Sequence, residues 1–152
     1  MKRAYADVPF GQLHYRELGD GEPILFLHKT PSSSVQFERC APYLVEAGYR
    51  VLALDTPGFG LSDRHPTQPT MREYGLAVHQ FLDAIGVDRL HLFGHHTGAS
   101  IALEAAGQRQ ERFTTLGFGG ILAVETEAER EALKPSLGTY LWEPDWRGEF
   151  LK

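Results

Sequence analysis

Cysteine is almost missing from this sequence: Cys40 is the only one in 152 residues, so no disulfide can form within the chain. A reducing, cytoplasmic setting is the expectation. Blocks of basic residues are missing too, since the net charge of −5 comes from charges scattered along the whole sequence. Nothing here could track phosphates or an anionic bilayer, so neither nucleic acid nor membrane is an expected partner. The basic start "MKR" runs into polar residues instead of the apolar core of a secretion signal. No internal repeat, low-complexity tract or linker occurs before about residue 123. What remains is the composition of a globular chain, with 42% hydrophobic and 23% charged residues, long enough for one domain or part of one.

The apolar pattern sets the order of elements. "AYADVPFG" and "QLHYREL" read as two short strands joined at Gly11 and closed by the turn "GDGEP". "PILFLH", "RVLALD" and "RLHLFG" are apolar without polar alternation, as strands buried on both faces are. Between the first two, Val35, Phe37, Ala41, Leu44 and Val45 recur at helical spacing and predict one helix over 35–47, stopped by Gly48. Between the second and third, Leu76, Val78, Phe81, Leu82 and Ile85 predict a helix over 71–85 before Gly86. A further helix follows the third strand, and "FTTLGFGG" reads as another strand. Strands that alternate with helices in this way build right-handed βαβ units, with helices on both faces of a mostly parallel sheet. The expected fold class is therefore α/β, a three-layer sandwich.

Ligands of open α/β sheets bind outside the carboxyl ends of the strands. Three loops there carry chemistry: "HKTPSSS" from His28, "DTPGFGLSD" from Asp55 and "GHHTG" from Gly94. In this order and at these intervals they resemble the α/β-hydrolase superfamily over roughly residues 5 to 122. "DTPGFGLSDR" is similar to the D-x-P-G-x-G-x-S segment of its esterases, haloalkane dehalogenases, epoxide hydrolases and carbon–carbon bond hydrolases. "HKTPSSS" stands where many of them carry H-G-x-P-x-S-S, and "GHHTGA" where they carry G-H-S-x-G-G. The resemblance implies an N-terminal core over 1–122 and the start of a cap over 123–152, with the sheet incomplete at the C-terminus.

The third loop has the form of a nucleophile elbow, in which a strand reverses at once into a helix around a strained central residue. Gly94 and Gly98 allow that approach of two backbones, and the central residue is His96 instead of serine. Lys29 likewise replaces the glycine after His28. The resemblance implies oxyanion donors at the backbone N–H of Thr97 and of Thr30, and one such donor contributes roughly 3 kcal/mol to a transition state. Imidazole has a reference pKa of about 6.5, and the positive end of the helix that begins at Thr97 opposes its protonation. Neutral His96 is then a general base acting on water or on an acidic substrate hydroxyl. Hydrolysis of an ester or lactone, cleavage of a carbon–carbon bond beside a carbonyl, and a lyase-type proton abstraction all suit it.

The catalytic candidates are thus His96, Thr97 and Thr30, with His28, Lys29, His95 and Asp55 as substrate-binding candidates around them. His28 also reads as a residue that fixes its loop by hydrogen bonds, Asp55 as an orienting loop residue and His95 as packing under the elbow. Neither cofactor nor metal is expected, since neighbouring elbow side chains should point to opposite sides of the turn. His14, His65, His79 and His91 have no motif around them and read as surface or strand residues. The rival reading is a non-catalytic, ligand-binding member of the same fold, and a third is a structural half of a larger unit. The partners expected are a small-molecule substrate and either a second copy of the chain or the remainder of a longer one. The last follows from the apolar strand at 113–120 and the large apolar residues between Tyr140 and Leu151, which a short chain struggles to bury alone.

Overall fold

The computed structural model describes residues 1–120 and Ala128; the cap expectation and the 140–151 segment lie outside the described residues. The chain divides into two units, Met1–Ile121 and Leu122–Lys152. The first unit is built on a six-stranded sheet in the order β1-β2-β4-β3-β5-β6. Its strands are β1 (Lys2–Val8), β2 (Gly11–Leu18), β3 (Glu22–Leu27), β4 (Tyr49–Leu54), β5 (Leu90–His95) and β6 (Phe113–Gly119). β2 runs antiparallel to both of its neighbours, and the pairs β4/β3, β3/β5 and β5/β6 are parallel. The sheet is mostly parallel, as expected.

Three helices cover it: α1 (Ala41–Glu46), α2 (Met71–Ala84) and α3 (Thr97–Gln108). α2 starts at a capping box, in which Thr70 accepts from Glu73 N–H and the Glu73 carboxylate accepts from Thr70 N–H. Because alternate strand residues face opposite ways, the buried runs feed two cores. Leu25, Leu27, Leu52, Leu54 and Leu92 join Phe81, Leu82 and Ile101 of α2 and α3, while Phe26, Val51 and Ala53 join Phe37 and Ala41 on the other face. This is the three-layer sandwich. Among the described residues, no helix is long and apolar enough to cross a membrane.

The single helix predicted over 35–47 is instead a 3-10 turn at Ser34–Phe37 and the short α1. Pro42 explains the break: it has no N–H to donate to the Glu38 carbonyl, and its ring would clash with that carbonyl in a continuous helix. Val35, assigned to the buried stripe, is 49% exposed as a result.

The chain leaves β3 toward β4 on one side and returns from β4 to β5 on the other. The crossovers therefore part at the end of β3, and the carboxyl edge of the sheet there is the place where open α/β sheets bind ligands. The loops after β3, β4 and β5 border it.

Candidate functional site

The turn after β5 is the tightest part of this edge. His96 has φ 53° and ψ −117°, and it is the only non-glycine residue with positive φ among the described residues. Such a conformation costs on the order of 1–3 kcal/mol and persists only where its surroundings impose it. They do so here by hydrogen bonds on both sides of the residue. His96 N–H donates to the Gly119 carbonyl at 2.8 Å, and the His96 carbonyl accepts from Ala99 N–H at 2.8 Å and Ser100 N–H at 3.3 Å. Glycines make the turn possible: a methyl on Gly98 would collide with the Leu27 carbonyl at the end of β3, and one on Gly94 with the Gly98 carbonyl. The first turn of α3 is thus pressed against the end of β3, and Thr97, as the first helical residue, has no carbonyl one turn back to bond.

β6 makes room for the rings of this region. A methyl on Gly117 would come 2.9 Å from Phe93, one on Gly119 3.1 Å from His95, and one on Gly120 3.1 Å from His96 Cδ2. His96 is exposed, and its ring lies beside Gly120 at the end of β6. The ring that reaches the 28–36 segment is that of His95, whose Nδ1 accepts from Gln36 Nε2 at 2.9 Å. The two imidazoles do not point apart as expected from a turn; they meet edge to face at 5.1 Å between centroids. Even so, no group of three or more potential metal ligands occurs among the described residues.

His28, at the end of β3, is 1% exposed and has both ring nitrogens bonded to the chain. Nδ1–H donates to the Lys29 carbonyl at 2.8 Å, and Nε2 accepts from Thr56 N–H at 3.1 Å. Burial, opposed by the bond to Lys29 and by the charge of Asp55, holds its pKa below the usual imidazole range. A neutral ring matches that bonding, which directs His28 to fixing the loops. Thr30 and Lys29 are exposed beside it.

Asp55, at the end of β4, is 1% exposed and pins three segments. Its carboxylate accepts from Ser34 N–H at 2.5 Å, Leu61 N–H at 2.9 Å and His14 Nδ1–H at 2.8 Å. Burial pushes its pKa up, but the donors from Ser34, Leu61 and His14 outweigh that and hold it below the usual carboxylate range. His14, read from sequence as a surface or strand residue, is buried on β2 as part of this hub, and His79 is buried under α3. Sequence reasoning missed Gln36 as well, because its partners are distant in the chain and no motif contains it.

Residues 22–143 match the family described as alpha/beta hydrolase fold. The chain is 36% identical over 120 residues to the 2-hydroxy-6-oxo-6-phenylhexa-2,4-dienoate hydrolase of Comamonas testosteroni, covering 72% of this chain and 41% of that protein. It is 31% identical over 115 residues to a haloalkane dehalogenase of Psychrobacter cryohalolentis, covering 73% of this chain and 38% of the relative. Among solved structures, an epoxide hydrolase from an endophytic Streptomyces is similar at a TM-score of 0.70 and 29% identity, over 77% of this chain and 36% of that one. The chain therefore spans well under half the length of these relatives.

Proposed function

Because the chain belongs to the alpha/beta hydrolase fold family, we propose that it acts on a small carbonyl-containing substrate, with His96 as general base at the position where the family carries its nucleophile. The substrate class is an ester, a lactone or a carbon–carbon bond adjacent to a carbonyl. One observation carries the reading: an imidazole is held in a strained conformation at the tip of the strand-to-helix turn, directly before Thr97, whose N–H opens the helix. The strain presents the base, and the helix start supplies a donor for a developing oxyanion. Thr30 N–H, in the exposed loop after β3, is the second donor in this proposal. His28 and Asp55 hold the loops that carry these groups, while Lys29 and His95 border the substrate.

A binding role without turnover is the second reading, favoured by the absence of a carboxylate bonded to the His96 ring among the described residues. Turnover of p-nitrophenyl esters, lactones and β-diketones by wild type and His96→Ala separates the two. Activity lost in a variant that folds normally is the expected result. Equal trace rates in both proteins would leave only binding.

A further inference from the structure

The segment after β3 and the turn after β5 are joined by a side chain that the proposed chemistry does not use. Gln36, half-buried in the 3-10 turn, accepts Lys29 N–H on Oε1 at 3.3 Å and donates from Nε2 to His95 Nδ1 at 2.9 Å. Its orientation is set by chemistry, because a backbone N–H can only donate. The amide oxygen must face Lys29, which leaves the NH₂ group facing His95. That group can bond Nδ1 only while the nitrogen keeps its lone pair, so His95 is neutral with its proton on Nε2. Protonation would set N–H against N–H. The amide would then have to turn over and release Lys29.

We propose that Gln36 is a positioning residue that ties the loop carrying Thr30 to the turn carrying His96, and that its amide makes this tie depend on the protonation state of His95. Lys29 directly precedes Thr30, so releasing Lys29 N–H loosens the donor assigned above; this catalytic consequence rests on the proposed function, and the tie itself does not. Among the described residues, His96 is in ring contact with His95, and Lys29 shares with it the partner Gln36. β6 places Gly119 against its ring, and His28, next to Lys29, has both nitrogens already bonded. The tie needs a lone pair on His95 Nδ1, so a proton placed there would break it. A carboxylate in place of the amide reverses this, since one oxygen can accept from Lys29 and the other from a protonated Nδ1.

The test is ¹⁵N NMR of the histidine rings and of the Lys29 amide in the full chain, for wild type, Gln36→Glu and Gln36→Ala, between about pH 5 and 8. In wild type, His95 should show an unprotonated Nδ1 at about pH 8, and the Lys29 amide proton should lose its downfield shift in the spectra where Nδ1 carries a proton. In Gln36→Glu, which keeps the size of the side chain, the Lys29 shift should be retained at every pH, since one carboxylate oxygen still accepts from Lys29 N–H. Gln36→Ala should lack that shift at every pH. A wild-type Lys29 shift that ignores pH would overturn the proposal, as would a folded Gln36→Ala protein that keeps that shift. These readouts need no activity, so a failure of the catalytic reading would be seen separately as absent ester turnover.

Discussion

His14 Nδ1 lies 2.8 Å from Asp55 Oδ2, with both side chains buried, so a buried charge-assisted hydrogen bond joins the antiparallel strand β2 to the loop after β4. His14 Nε2 has no partner among the described residues, which leaves Asp55 as the one group satisfying that ring.

Asp55→Ala should lower the free energy of unfolding by about 3–5 kcal/mol in urea titrations, because three donors lose a buried acceptor at once. Asp55→Asn should cost less. The folded pKa of Asp55 lies below its unfolded value, so its stabilisation is complete above about pH 4 and is lost as pH falls through the folded value. The gap between wild type and Asp55→Asn should therefore narrow in acid. A gap constant from pH 7 to about pH 2 would refute this.

His28 gives the opposite type of curve from a histidine that gains an acidic partner on folding. Its folded pKa is lowered, chiefly by burial, so the unfolded chain takes up a proton first as pH falls below about 6.5. Stability is fully present above that value and declines below it, by up to about 1.4 kcal/mol per pH unit. Thermal unfolding from pH 7.5 to 5 should show this decline, with a shallower slope in His28→Gln. Part of the slope should survive there, because His79 is also shifted down, first by burial.

His96→Gly should relieve the positive φ and raise stability by about 1 kcal/mol while abolishing turnover. His96→Ser should fold, yet show no burst of p-nitrophenol, since a serine hydroxyl is weak without an adjacent base and its orienting acid. Robust burst kinetics from that protein would reveal a base outside the described residues.

β6 is the edge of the described sheet, its residues 113–119 carry no charge, and Leu116 and Phe118 are 38% and 39% exposed. An uncharged, apolar edge strand invites pairing, and a second copy of the chain is the occupant proposed. Light scattering after size exclusion should give a dimer at micromolar concentration, dissociated by Phe118→Lys. A monomer in both proteins would end the idea.

Much of this architecture was legible in the linear chain, because a strand buried on both faces is apolar without alternation and a glycine just past the last apolar repeat marks where a helix stops. "PILFLH", "RVLALD" and "RLHLFG" became β3, β4 and β5, and the glycines of "GHHTG" marked a turn where Cβ atoms could not be accommodated. The break at Pro42 was legible too, although the apolar spacing across it pointed the other way. Tertiary structure alone decided which histidines were buried and which side chains met. His14 and Asp55 are 41 residues apart, and Gln36 and His95 are 59. Local periodicity reports which face of an element is apolar, but a hydrogen bond between two loops depends on how the sheet orders its strands. β3 and β5 are neighbours because the chain crosses back over β3 after forming β4, and that crossing sets His95 beside Gln36.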